Sequence, residues 1–559
     1  MLKRKLVFFA LIALVLTGFP TNILAAGLRG GYAGDADPVL LAPASADVYA
    51  ELDRAGTLGD NFAALVRTYQ AHPGTAAALN RLEASIGPDA LRQFNTLLQA
   101  APARVAVFAT IPTNPSAQPL AAVIAQLKPA SVMNGGNPLS GLATFSPSTS
   151  YRGTAIYRVT FTGGLGSGYG AVVSGDGVVA ADVASVKSVI DAASFHSPSL
   201  FTDADFSKAA AQIGGTNTHT LTFYVSRNLL VRSVQASGSQ GGATGIAGQT
   251  AATLSALRAY AVGITALPNG ISTITSASPR TGMLSLTPNN GVGVVGNNAI
   301  SYVSVANVAQ LLRSAGLLTN STLAQARAQT GIDIARDVLP LVSREVVVDI
   351  NDETSPLIST VVAAGVAGNS SSLGSVPQLP GSLELATEVS DQASAQASVN
   401  NILTSLTRAA GGSSSAPLLT KATLPDGSDG YVVAALPSIG YTFRKVGGHT
   451  FLVISSDLPD DVRAASAPLS VDADYRTALA NAGGAASAAS VSYTNVSRLL
   501  ALVDKVLAYA QSRKAVSASD LATYRQDAEP LIAPFRNVAA VTRVLPSGDT
   551  QMQSFVTVR

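Results

Sequence analysis

Polar and apolar residues alternate over Asp47-Val48-Tyr49-Ala50-Glu51-Leu52, the pattern of a half-buried strand. Helical spacing follows through Phe62, Leu65, Val66 and Tyr69 and again from Ala76 to Leu98, until Pro102 stops it. Arg104-Val105-Ala106-Val107-Phe108-Ala109 predicts a second strand. The same order returns later: a strand over Ala299–Val303, helices from Val308 and Gly331, then a strand over Arg344–Asp349. Further strands are predicted over Leu120–Leu127, Thr154–Phe161, Leu383–Val389 and Tyr431–Leu436. Tyr169–Ala180 and Tyr441–Ser455 read as hairpins turning at Gly175-Asp176-Gly177 and Gly447-Gly448-His449. A helix is expected after each, over Val183–Ala192 and Pro459–Ala465.

One stretch occurs twice. Leu200-Phe201-Thr202-Asp203-Ala204-Asp205-Phe206 leads to Gly214-Gly215 and then Phe223-Tyr224-Val225. Its counterpart, Leu469-Ser470-Val471-Asp472-Ala473-Asp474-Tyr475, leads to Gly483-Gly484 and Ser492-Tyr493-Thr494. The pattern predicts a capped helix closed by a left-handed glycine. Thr202 with Asp205 forms a capping box in the first copy, and Asp472 or Ser470 caps the second. Each half ends on a hairpin, around Leu267-Pro268-Asn269-Gly270 and Leu545-Pro546-Ser547-Gly548.

These landmarks give an α+β fold of two tandem repeats, each a mostly antiparallel sheet packed with helices on one face. The expected boundaries are a signal peptide over 1–26, a flexible lead-in over 27–45, and repeats over 46–288 and 297–559. Pro288 to Gly296, rich in Gly and Asn, marks the join. The copies diverge at a Gly/Ser-rich loop over Ser233–Gly248 and at two helices around Val503–Gln511 and Asp520–Leu531.

The leader changes the compositional picture. Lys3, Arg4 and Lys5 precede an apolar run from Leu6 to Leu16, broken at Gly18 and Pro20, and small residues follow at Ala25, Ala26 and Gly27. That order predicts export, with cleavage near Ala26 or Gly27, to the periplasm or outside the cell. Removing three of the 36 basic residues leaves the chain near neutral against 34 acidic ones, so no basic field remains to attract nucleic acid. No later stretch is apolar enough for a transmembrane helix. Cysteine is absent, which excludes disulfides and thiolate chemistry. Charged residues are only 13 % of the chain, so its polar surface falls largely to Ser, Thr, Asn and Gln.

Little in the sequence carries chemistry. His72, His196, His219 and His449 lack the three-to-five-residue spacing of zinc ligands. Gly164 to Gly170 imitates a phosphate-cradling loop, but strand-like sequence on both sides predicts a hairpin. Asp203/Asp205 and Asp472/Asp474 could be read as calcium ligands or an acid–base pair; helix capping accounts for them better. Asp426 to Gly430 reads as a turn. Tyrosines are dispersed and tryptophan is absent, which argues against a sugar-stacking face. No catalytic, cofactor-binding or metal residue is assigned, and no cofactor is expected.

The leader, the Ala46–Leu52 strand, the Gly175–Gly177 hairpin, the helix from Val183 and the capped helix from Thr202 together resemble a family of exported bacterial proteins known only as a domain of unknown function. The resemblance implies export and an α+β fold, and it brings no activity. The expectation is a non-enzymatic binding or interaction protein of the envelope, whose partner is an apolar small molecule held in or between the repeats, or an envelope protein. A secreted hydrolase with a scattered serine or carboxylate site and a structural cell-surface protein are the alternatives.

Overall fold

The computed structural model describes residues 37–86, 104–112, 119–126, 143–161, 167–238, 259–277, 289–314, 317–355, 359, 380–409, 418–425, 427–434, 436–458, 467–486 and 488–559. The expected leader, the helix over Pro459–Ala465 and most of the Ser233–Gly248 loop lie outside these residues. The fold is α+β, and the chain divides into two compact units: Met1–Arg280 with Val558–Arg559, and Thr281–Thr557.

The first unit holds strands β1 (Val48–Asp53), β2 (Arg104–Thr110), β3 (Leu120–Gln126), β4 (Ala143–Tyr151), β5 (Thr154–Phe161), β6 (Ser167–Val173), β7 (Asp176–Ala180), β8 (Leu221–Val225), β9 (Tyr260–Leu267) and β10 (Gly270–Ala277). They pair antiparallel in the order β4-β5-β6-β7-β3-β2-β1-β8-β9-β10. Its helices are α1 (Pro38–Leu41), α2 (Gly56–Ala71), α3 (Thr75–Ile86), α4 (Val183–Ala193), α5 (Ala204–Gln212) and α6 (Arg227–Gly238).

Alternation along these strands sends Tyr49, Phe108, Ala122, Ile124 and Val178 to one face, where Val186, Val189 and Ile190 of α4 and Phe206 of α5 complete the core. Leu52, Val105 and Ala125 point the other way and pack under Phe62 and Val66 of α2. Helices therefore cover both faces of the central strands, where one covered face was expected. The reason is visible in the sequence: Leu52, Val105 and Ala125 are themselves apolar and need a partner layer.

The second unit holds β11 (Ala299–Ala306), β12 (Glu345–Thr354), β13 (Pro380–Val389), β14 (Leu419–Thr423), β15 (Asp429–Val433), β16 (Leu436–Val446), β17 (His449–Ser455), β18 (Ala488–Asn495), β19 (Phe535–Val544) and β20 (Thr550–Val558). Their order is β14-β15-β16-β17-β13-β12-β11-β18-β19-β20. Position for position, this is the pairing order of the first unit. The helices are α7 (Val308–Ser314), α8 (Asn320–Thr330), α9 (Gln392–Ala409), α10 (Ala473–Asn481), α11 (Val496–Ser512), α12 (Ala518–Thr523) and α13 (Glu529–Ile532).

Two expectations need correction. From Pro38 onward the supposed lead-in is core: Asp37 caps a single turn whose Val39 and Leu41 are buried. The supposed join behaves likewise, since Asn290–Gly293 forms a tight turn with Gly291 buried. A four-residue turn is too short to show any period, so both segments read as linkers.

Candidate functional site

The duplicated stretch builds the same local structure twice. Asp203 accepts the amide N–H of Phe206 at 2.8 Å, and Asp472 accepts that of Tyr475 at 2.8 Å, so the first aspartate of each pair is the helix cap. The cap is not Thr202: its hydroxyl donates to the Ser199 carbonyl at 2.7 Å inside a preceding tight turn. Gly214-Gly215 and Gly483-Gly484 take positive φ, and the second of each pair donates back to Ala210 and Leu479 at 2.8 Å. Phe206 then sits edge-on between Tyr49 at 6.0 Å and Tyr224 at 5.0 Å, while Tyr475 sits between Tyr302 at 6.1 Å and Tyr493 at 5.3 Å.

In the first unit this helix start borders a shallow cleft of about 350 Å³, part of it open solvent, lined by Asp47, Asp203, Asp205, Ser226, Arg227 and Asn228 among others. Asp47 is already committed there: it accepts from Ser226 Oγ at 2.7 Å, from the Ile111 N–H at 2.8 Å and from Arg232 at 2.8 Å.

A second polar group lies inside the core, and sequence reading missed it. Glu51, 2 % exposed, and Asp53 share the inward face of β1 with Tyr49. Arg104 stands opposite Asp53, contacts it at 2.9 Å, and lies 3.7 Å from Glu51 and 3.8 Å from Asp37. Asp176 opens β7 fully buried, and neither of its oxygens has a hydrogen-bond partner among the described residues. Tyr49 donates to Glu51 Oε2 at 2.7 Å, whereas Oε1 accepts no hydrogen bond there. Burial, reinforced by the charge of Asp37, pushes Glu51 up to about 7 against the pull of Tyr49 and Arg104. Burial also pushes Asp176 up to about 7, with Arg104 opposing and Asp37 adding. The available signal was that Tyr49, Glu51 and Asp53 fall on one face of a strand whose other residues are apolar. Asp176 was hidden because Gly175-Asp176-Gly177 reads as a turn, yet the turn is Ser174-Gly175, both at positive φ, and Asp176 already pairs with Val173.

The corresponding place in the second unit carries different groups. Glu345 stands opposite Ala306 as Arg104 stands opposite Asp53. It accepts from Ser304 at 2.6 Å and from the N–H groups of Asn290 and Gly291 at 2.8 and 3.0 Å.

The histidines are dispersed. His219 is buried and bridges the Ile213 carbonyl at 2.7 Å and Thr265 Oγ1 at 2.8 Å. A carbonyl only accepts, so Nε2 carries the proton and Nδ1 accepts from Thr265. Desolvation holds this imidazole below its ordinary value. His449 meets Glu388 at 3.0 Å. His196 meets Ser194 at 3.0 Å on an exposed helix end, where the serine donates to the Ile190 carbonyl at 2.6 Å. Ser194 is the C-terminal cap of that helix. Gly164 to Gly170 leads from β5 into β6, which pair antiparallel, so no phosphate-holding helix follows.

Phe195 and Phe201 flank Pro198 and are 93 % and 56 % exposed. The segment between them is fixed: Leu200 donates to Ala42, Ala44 donates to Pro198, and His196 and Ser197 donate to Asp191. Phe195 itself adopts φ 57°, at the helix-end position where glycine is the usual residue.

A two-unit α+β protein with ten antiparallel strands in each unit among the described residues, a twice-built aromatic cap and buried carboxyl groups in both units, Glu51 and Asp176 in the first and Glu345, Asp349 and Glu384 in the second, is the class these features define. Residues 106–403, from β2 into α9, match the family described as protein of unknown function (DUF3352), and the chain belongs to it. No curated protein and no solved structure matches the chain.

Proposed function

We propose that the chain is an exported, non-enzymatic binding or interaction protein of the bacterial envelope, built as two tandem α+β repeats behind a leader cut near Ala26 or Gly27. The identical pairing order of the two units supports the repeat reading. The observation that carries the binding function is the Phe195–Phe201 turn. It is a rigid segment displaying two phenylalanines, one held in a backbone conformation that costs a bulky residue about 1–2 kcal/mol. Exposed aromatic anchors on a fixed frame are what interface centres use. Tyr49, Phe108, Ile124, Leu200 and Phe206 pack together in the described core of the first unit, which favours a surface partner over an apolar ligand at that place. Asp203 and Asp205 lie just beyond Phe201, so the partner that fits is an envelope protein presenting apolar and basic side chains together.

Phe195→Gly tests the reading. Glycine relieves the left-handed strain, so the variant gains up to about 1 kcal/mol in urea unfolding. It also loses the partner that native mass spectrometry finds on the protein purified from its own host, as does Phe201→Ser. A wild-type protein that emerges bare, or a partner retained by both variants, overturns it.

A further inference from the structure

We propose that Glu51 and Asp176 hold two protons inside the first unit, and that losing them at alkaline pH loosens the α1 turn from the sheet. The groups facing this interior are Asp37 ahead of α1, Tyr49, Glu51 and Asp53 on β1, Arg104 on β2 and Asp176 on β7. β8 contributes Thr222 and Tyr224, with Thr220 just ahead of it, and α4 turns Val186, Val189 and Ile190 inward. Arg54, buried just past β1, makes interactions of its own. With both protons gone, Arg104 would face the carboxylates of Asp37, Glu51, Asp53 and Asp176. Among the described residues Asp176 accepts no hydrogen bond and Glu51 accepts only that of Tyr49, so that charge has little hydrogen-bond support.

Relief comes most easily at α1. The turn is four residues long, and its Asp37 side chain is 29 % exposed, against 1 % for Glu51 and 4 % for Asp53. Moving Asp37 outward removes one negative charge from the group and admits water to the others. The second unit offers an internal control. There the corresponding turn donates two backbone N–H groups straight to Glu345, so a carboxylate charge holds the turn instead of opposing it.

Hydrogen exchange of the full mature chain, corrected for intrinsic rates, reads the effect. Protection of the 37–46 segment falls roughly tenfold between about pH 5.5 and about pH 8.5, while the 289–296 segment does not change. Glu51→Gln with Asp176→Asn abolishes the fall. If that double variant does not fold, Asp176→Asn alone reduces the fall. Infrared difference spectra provide a direct reading: a carboxylic-acid band of the wild type at about pH 6 is missing from the variants. Protection that is independent of pH in the wild type, an equal fall in the variants, or no acid band overturns the proposal.

Discussion

Gly263 has no side chain because His219 fills the space. A Cβ there would come within 2.3 Å of the imidazole ring, which is itself pinned by Ile213 and Thr265. The ring cannot retreat without breaking both bonds, so Gly263→Ala costs about 2 kcal/mol or more, measured as a shift in urea midpoint at unchanged slope. A silent substitution would mean the ring is not held as described. Glu51 and Asp176 act on stability through protons. Their folded values lie above the ordinary 4.5 and 3.8, so between those values and about 7 the folded state binds more protons than the unfolded one. Their contribution is fully present at the acid end, is lost as pH rises to about 7, and stays level above it. At about 1.4 kcal/mol for each pKa unit, the rises from 4.5 and 3.8 to about 7 correspond to roughly 3–4 kcal/mol for each group. Glu51→Gln and Asp176→Asn each flatten that slope and leave the chain more stable at alkaline pH. A wild-type stability that does not fall between about pH 4.5 and about pH 7 would count against charged burial here.

At the level of elements, the capped helices show what pattern reading reaches. Their existence, their glycine ends and the role of the paired aspartates follow from Asp203, Asp205 and Gly214-Gly215 with no structure in hand. The choice of Thr202 as cap was one residue early, because Leu200-Phe201-Thr202 forms a tight turn that periodicity cannot distinguish from a first helical turn. Asp203→Ala and Asp472→Ala each cost about 1 kcal/mol, and Thr202→Ala costs less than half as much. Equal losses at Thr202 and Asp203 would restore the capping box. Most strands were legible to within a few residues, since apolar alternation declares them, but β4 and β14, largely exposed and with little alternation, were not. The strand order was not legible either: bringing β7 beside β3 and β8 beside β1 depends on contacts far apart in sequence. The charged interior was hidden for a similar reason, as β1, β2 and β7 each contribute only one or two of its members. Asp176 in particular looks like a turn residue until its strand partner is known.

The whole molecule is two cores with one pairing order. Tyr49, Phe206 and Tyr224 pack edge to face in one, and Tyr302, Tyr475 and Tyr493 in the other. Contacts within each unit are dense enough to define it as a compact body of domain size. Each should therefore melt as its own cooperative step. Calorimetry of the chain is expected to give two transitions, and the cap variants assign them. Asp203→Ala lowers one midpoint by several degrees and leaves the other in place, and Asp472→Ala does the reverse. The pH dependence set by Glu51 and Asp176 then belongs to the transition that Asp203→Ala moves, because all of its groups lie in the first unit. Glu345 is also held above the ordinary carboxylate range by burial, with Ser304 and two amides opposing, and Asp349 and Glu384 are buried beside it, so the second transition carries a pH dependence of its own that Glu51→Gln and Asp176→Asn leave in place. One transition moved equally by both cap variants would show that the cores unfold together. A first transition whose pH slope is unchanged in Glu51→Gln and Asp176→Asn would show that the charge arrangement around Arg104 has no thermodynamic consequence of its own.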